Sequence, residues 1–202
     1  MKLGYLCVTG SLGWGYYDID HSDVDLRGVY YKTENDRFIK NIGDQREFKK
    51  LPLECTFWSF DKFWGLLRKS NPSCIEWLLS PTIFSDALFD QFREYAKMKM
   101  YNPFTLAKHY VAMAKGNYRD YDKKLSPKKV RYIVRALESA KAVLNDELPI
   151  MDVTGLDCSE SQDFHGMISA LDKQLDAVPK KERKDNYWFR DYKAILSGKV
   201  FE

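Results

Sequence analysis

No two cysteines in this chain stand close together in sequence. The four, Cys7, Cys55, Cys74 and Cys158, form no CxxC pair, which excludes a zinc ribbon and a thioredoxin-like site. They read as small buried apolar residues of a reducing compartment. Long hydrophobic runs are missing too: no stretch approaches the roughly 20 apolar residues that a membrane span needs, and the N-terminus lacks a basic segment followed by an apolar run. A strong charge of either sign is also lacking, since 32 basic residues stand against 29 acidic ones for a net charge of +3. That balance is compatible with nucleic acid but too small to argue for it. His21 and His165 lack ligand spacing, and no internal repeat is present. The expectation is a soluble cytoplasmic protein.

What is present suits a real core. The 202 residues are 45% hydrophobic and 15% aromatic, enough for one domain or for a catalytic domain with a helical partner. The nearly continuous apolar run Leu3 to Val8 predicts a strand covered on both faces. A glycine-rich turn, Thr9-Gly-Ser-Leu-Gly-Trp-Gly15, follows, and Asp23 to Tyr31 predicts a second strand. Lys32 to Lys50 is polar and reads mostly as loop, with Phe38-Ile39 a short exception. Leu51 to Trp58 is again strand-like. Ser59 caps a helix to about Lys69, with Phe60, Phe63, Trp64 and Leu67 on one face. Asn71-Pro72-Ser73 stops that helix and starts the next.

From Asp86 the period is helical: Leu88 to Met98, Pro103 to Tyr118, Pro127 to Asn145 and His165 to Val178. The fold expectation is therefore α+β, a small mixed sheet with helices over residues 1–80, followed by a helical subdomain over 81–202 packed against it through a junction at Ser80-Pro81. The charge run Lys180 to Asp185 reads as a solvated segment.

The chemistry lies in the first sixty residues. Asp23 and Asp25 are one residue apart on a strand, so both carboxylates point to one face. Such a pair suits magnesium, which prefers hard oxygen ligands and commonly takes one or two carboxylates plus substrate phosphates. Gly10-Ser11 supplies the other half: glycine lets the backbone approach a phosphate, and Ser11 opens a helix whose free amides attract anions. Each half alone reads as an ordinary turn or an exposed acid, but the two in succession point to catalysis.

Gly10-Ser11, twelve residues from Ser11 to Asp23, and Asp23-x-Asp25 resemble the signature of the DNA polymerase beta nucleotidyltransferase superfamily. Within it, Gly-Ser-Leu-Gly-Trp-Gly15, Ser22-Asp-Val-Asp-Leu-Arg-Gly-Val-Tyr30, Lys69-Ser-Asn-Pro72, Glu76-Trp-Leu78, Ser80-Pro81 and His109 to Tyr118 are similar to the RNA-repair-associated branch, often called RlaP, over roughly residues 5 to 135. Where that branch often has arginine after Gly-Ser, this chain has Leu12.

The resemblance implies a polymerase beta-like fold and a cytoplasmic enzyme of a bacterial or phage-infected cell. Its reaction moves a nucleoside monophosphate from an NTP to a hydroxyl with Mg2+ (or Mn2+) and releases pyrophosphate, and the acceptor is an RNA end such as tRNA. The resemblance also places the third carboxylate on the strand before the helix leading to Asn71-Pro72. Glu54 is favoured there, with Glu47 and Asp61 as competitors. Asp23, Asp25 and Glu54 are then the catalytic and metal residues, with Glu54 also able to help deprotonate the acceptor.

Gly10, Ser11, Ser22 and Arg27 are the nucleotide candidates; Ser22 is read as capping the turn as readily as binding phosphate, and Arg27 as meeting a triphosphate or a carboxylate. His109, Lys115, Asn117 and Tyr118 cluster near a helix end. Lys128, Arg131 and Arg135, at spacings of three and four, share the face of the next helix, as RNA or phosphate contacts or as a solvated face. The tryptophans at 58, 64 and 77 are read as core. The alternatives in function are a protein-AMPylating, antitoxin-like transferase and a catalytically silent nucleotide- or RNA-binding module.

Overall fold

A computed structural model describes residues 1–19, 22–33, 44–50, 52–99, 101–123, 126–159 and 162–179. The Phe38-Ile39 segment, His21 and the Lys180–Asp185 charge run lie outside the described residues. Among the described residues are five strands: β1 Lys2–Thr9, β2 Val24–Tyr31, β3 Gln45–Lys50, β4 Leu53–Ser59 and β5 Thr82–Ser85. Seven helices accompany them: α1 Gly10–Gly13, α2 Phe60–Leu67, α3 Pro72–Leu79, α4 Ala87–Lys99, α5 Pro103–Lys123, α6 Pro127–Leu144 and α7 Phe164–Ala177. The fold is a mixed α+β one.

The sheet order is β3-β4-β2-β1-β5. Only the β2–β4 pair is parallel; β1–β2, β1–β5 and β3–β4 are antiparallel. Two strands escaped the sequence reading. β3 is exposed along its whole length, so its residues carry no apolar alternation to betray it, and its pairing comes from β4. β5 has only four residues and an exposed Ile83 and Phe84. It pairs with β1 beyond the Ser80-Pro81 change of element type, so the sheet draws on residues from both sides of that point.

Register divides one sheet face into three rows. Tyr5, Val29 and Trp58 form the first, Cys7, Arg27 and Thr56 the second, and Thr9, Asp25 and Glu54 the third. Because strand side chains alternate, these nine share a face. The first row is apolar and receives the helices. Tyr5 stacks on Phe89 with ring centroids 4.5 Å apart, and its hydroxyl donates to the Trp77 carbonyl at 2.7 Å. Trp58 stacks on Trp77 at 4.1 Å. Four residues farther along, the third row is polar.

The helices form where their caps and periods place them. Ser59 Oγ accepts from the Lys62 amide, and α2 buries Phe60, Phe63, Trp64 and Leu67, the i, i+3, i+4, i+7 stripe of an amphipathic helix. Asn71 caps α3 through the Ser73 amide, with Pro72 in its first turn, where a missing N–H costs nothing. One buried cluster runs from Tyr5 and Val29 through α2, α3 and α4 to Leu171 and Leu175 of α7. The helical half therefore rests on the same core as the sheet. No described helix is long and apolar enough to cross a membrane.

Candidate active site

The third row of the sheet carries the acids. Asp25 and Glu54 are direct partners across the parallel β2–β4 ladder, which is why carboxylates 29 positions apart in sequence meet. Between them lies Arg27. Its Nη2 donates to Asp25 Oδ1 at 2.9 Å and to Glu54 Oε1 at 3.4 Å, and its Nη1 to the Leu26 carbonyl at 3.0 Å. Lys49, on β3 beside Glu54, reaches Oε2 at 3.2 Å. The two acids thus gather positive groups. Arg27 meets both carboxylates.

The glycine-rich turn begins where β1 ends. Gly10 has φ +63, a left-handed conformation that favours glycine. A Cβ there would lie 2.1 Å from Asp25 Oδ2, so the acid packs directly on the Gly10 backbone. Ser11 follows in α1 and is buried. Ser22 is bonded within its turn: its Oγ accepts from the Asp18 amide at 3.2 Å, and its own amide donates to the Asp18 carbonyl at 2.8 Å. Asp23 is exposed and precedes the first residue of β2. Val24 is tied down by its amide bond to the Pro52 carbonyl at 2.7 Å.

The competing acids sit elsewhere. Glu47 lies on β3 opposite Thr56, in the second row and one strand farther from Asp25. Asp61 lies in the first turn of α2, past the opposite end of β4.

A cavity of about 380 Å3 opens on this row. Thr9, Gly10, Asp25 and Arg27 line its sheet side, and Glu76 and Trp77 come from α3. The other wall belongs to the helical half: Asn117 of α5 and Tyr132 and Arg135 of α6, with Trp14 beside them. Arg135 is only 2% exposed, its Nη1 donating to Glu76 Oε1 at 2.9 Å and its guanidinium 3.8 Å above the Trp14 ring. Lys128, Arg131 and Arg135, expected on one helix face, lie along it at different depths. Lys128 is exposed and lies 6.0 Å from the Tyr132 ring, and Arg131 covers the Tyr16 ring at 5.2 Å. Arg135, one turn on, is buried because the helix face passes beneath Trp14.

The other helical candidates separate in the same way. Asn117 reaches the cavity. Lys115 and Tyr118 line a different groove between α5 and α7, with Arg119 and His165, where Lys115 pairs with Asp172 at 2.6 Å. His109 is exposed and lines neither. Trp14, Glu76 and Tyr132 were not singled out from the sequence as site residues. Glu76 carried a signal: it is an acid inside an otherwise apolar helical run, and a buried acid requires a partner.

The donor set fits a hard cation in kind, since two carboxylates on one row already hold a guanidinium between them. Among the described residues no three His, Cys, Asp or Glu side chains are grouped as a metal site, because Asp23 is not gathered with Asp25 and Glu54.

Comparison with known proteins bears on this arrangement. An uncharacterized Bacillus subtilis protein, YcgL, is 29% identical over 165 residues, which cover 77% of this chain and 62% of that protein. The chain thus spans about 62% of the length of the curated relative it matches. A solved nucleotidyltransferase-like protein from Exiguobacterium sibiricum aligns at 10% identity with a TM-score of 0.37, covering 98% of this chain and 82% of that one. The model of the RNA repair pathway DNA polymerase beta family matches residues 1–188, so the chain belongs to that family, RlaP, and to the polymerase beta-like nucleotidyltransferases.

Proposed function

We infer that this chain transfers a nucleoside monophosphate from an NTP to a hydroxyl, with an RNA end as acceptor and pyrophosphate as leaving product. One observation carries the reading: Asp25 and Glu54 are partners across β2 and β4, and Asp25 packs on the Gly10 backbone and lines a cavity whose other wall comes from the helical half. Pockets of about 300–1,000 Å3 are the ordinary size for small-molecule ligands.

Asp25 and Glu54, joined by Asp23, are the residues that would hold Mg2+ or Mn2+, which when bound neutralises phosphate charge and stabilises the attacking and leaving oxygens of an in-line displacement. Gly10 brings its amide and that of Ser11 toward phosphate without a side chain in the way. Glu54 has an oxygen on Arg27 and another on Lys49, and in this reading accepts the acceptor hydroxyl's proton. Arg27 stands ready to exchange its carboxylate partners for phosphate oxygens, a bidentate match for guanidinium.

The test is incubation with α-labelled NTPs, Mg2+ and either RNA ends or candidate proteins. Label on RNA, lost in Asp25→Asn and on chelation, is the expected result. Label on protein points to AMPylation instead. Label on neither, with nucleotide still bound, points to a silent binding module, and transfer that survives chelation sinks the metal assignment.

A further inference from the structure

We propose that Arg135 is a positioning residue for phosphate binding, setting the Gly10–Ser11 peptide through the Trp14 ring. The inference rests on the nucleotidyl-transfer reading and deepens it, since it gives the helical half a part in holding the triphosphate.

The path from Arg135 to the turn is short. Its guanidinium carbon lies 3.8 Å from the Trp14 ring centroid, and its Nη1 donates to Glu76 Oε1 at 2.9 Å. Arg135 is only 2% exposed, and a cation over a tryptophan face attracts most strongly when desolvated. Glu76 is buried too, so α3 holds the cation that holds the ring. The Trp14 ring also meets Tyr132 of α6 edge to face, with centroids 5.5 Å apart. Trp14 is thus seated on α6.

Its backbone carries that placement into the turn. The Trp14 amide donates to the Gly10 carbonyl at 3.0 Å. That carbonyl and the Ser11 N–H belong to one planar trans peptide and point opposite ways, so holding the oxygen aims the N–H. On its other side the Trp14 carbonyl accepts from the Val153 amide at 3.2 Å, which tethers the residue to the segment after α6. One turn earlier on α6 the pattern repeats: Arg131 covers the Tyr16 ring at 5.2 Å, and the Tyr16 amide donates to the Ser11 carbonyl at 3.0 Å. Successive peptides of the turn are each bonded to an aromatic residue that a cation of α6 covers.

A turn led by glycine needs such support. Gly10 has no side chain with which to fix itself, and groups that hold a ligand bind it best when already aligned, because ordering them on binding lowers affinity. Trp14 supplies that order from outside the turn. Arg135 and Glu76 form an ion pair whose charges offset each other, so the pair acts on phosphate through the geometry of the turn rather than as a free cation.

The test is calorimetric binding of inorganic tripolyphosphate, and of the four nucleoside α,β-imido triphosphates, to the full chain in Mg2+. Loss of one aligned amide-to-phosphate bond costs about tenfold in affinity, so Trp14→Leu should weaken tripolyphosphate and nucleotides alike by about that factor. Trp14→Phe keeps a ring over Arg135 and should stay within about threefold of the unaltered chain. Arg135→Met with Glu76→Gln removes the cation without stranding the acid and should show the loss of Trp14→Leu. Adding Trp14→Leu to that pair should weaken binding by less than about threefold more, because both changes break one path. A merely structural role would lower the urea midpoint and leave the affinity of the folded chain unchanged, and that result overturns the proposal. So does a loss for nucleotides without one for tripolyphosphate, which makes Trp14 a contact of the nucleoside. A loss in the Arg135 variant without one in Trp14→Leu makes Arg135 a phosphate contact and overturns it as well, as do additive losses or an unaltered chain that binds nucleotides but not tripolyphosphate. Binding of neither removes the transfer reading itself.

Discussion

The Asp25 carboxylate occupies the space that a side chain on Gly10 would need, its Oδ2 only 2.1 Å from the place of a Cβ. The constraint is reciprocal: residue 10 stays bare and at φ +63, and Asp25 is fixed by contact with the backbone as well as by Arg27. Gly10→Ala therefore does two things. It strains a left-handed residue, at about 1–2 kcal/mol, and it pushes Asp25 off the row that it shares with Glu54. Nucleotide transfer should fall by about a hundredfold, since a displacement near 1 Å at a reacting group has that effect. Thermal unfolding should shift by only a few degrees. Near-normal transfer by Gly10→Ala would mean that the contact does not position the acid.

Three acids compete for the third carboxylate, and the register separates them. Glu54 is the Cα partner of Asp25; Glu47 is one strand and one row away, and Asp61 lies beyond the far end of β4. Glu54→Gln should cost transfer a hundredfold or more, on the order of 3 kcal/mol in the barrier. Glu47→Gln and Asp61→Asn should stay within about threefold, well under 1 kcal/mol. Single-turnover rates with labelled NTP measure all three, and a larger loss in either of the latter two reassigns the role.

The sequence was legible where period and chemistry coincide. β1, the Ser59 cap, the α2 stripe and the succession Gly10-Ser11 to Asp25 all announce themselves locally. β3 and β5 did not, because exposed or very short strands owe their conformation to a neighbour rather than to their own alternation. The site was half legible for a related reason. Asp25 reads from its own strand, whereas its pairing with Glu54 depends on β2 and β4 running parallel, and the Glu76–Arg135 bond spans 59 positions. Local spacing put Lys128, Arg131 and Arg135 on one helix face correctly. It could not say that the far end of that face lies under Trp14.

That difference along one helix face gives opposite expectations for its ends. Arg135→Met leaves Glu76, itself 7% exposed, as a buried charge without its partner, which typically costs about 3–5 kcal/mol. Adding Glu76→Gln should recover part of that loss in urea unfolding. Lys128→Ala with Arg131→Ala should cost little stability, below about 1 kcal/mol, yet lower the salt slope of RNA binding by up to about 2. An unchanged slope returns Lys128 and Arg131 to the solvated face. A null effect of Arg135→Met on stability contradicts the buried pair.

Alkaline pH should destabilise the fold through buried phenols and thiols. Burial raises the phenols of Tyr5, Tyr31 and Tyr110 above their ordinary value, with Asp86 adding to it at Tyr31 and Glu76 at Tyr110. Burial likewise raises the thiol of Cys74 and pushes that of Cys7 up to about 12. Unfolded thiols ionise near about 8.5 and phenols near about 10. Above about pH 8.5 the unfolded chain therefore holds fewer protons than the folded one, and stability falls as pH rises, whereas below it these groups contribute no slope. The urea midpoint should be flat across neutral pH as far as these groups are concerned and decline through about pH 9 to 10.5. Cys7→Ala should flatten the early part of that decline, because the thiol is the first of the group to ionise on unfolding. A midpoint that holds level through that range would mean that the unfolded chain shields these groups as well as the core does.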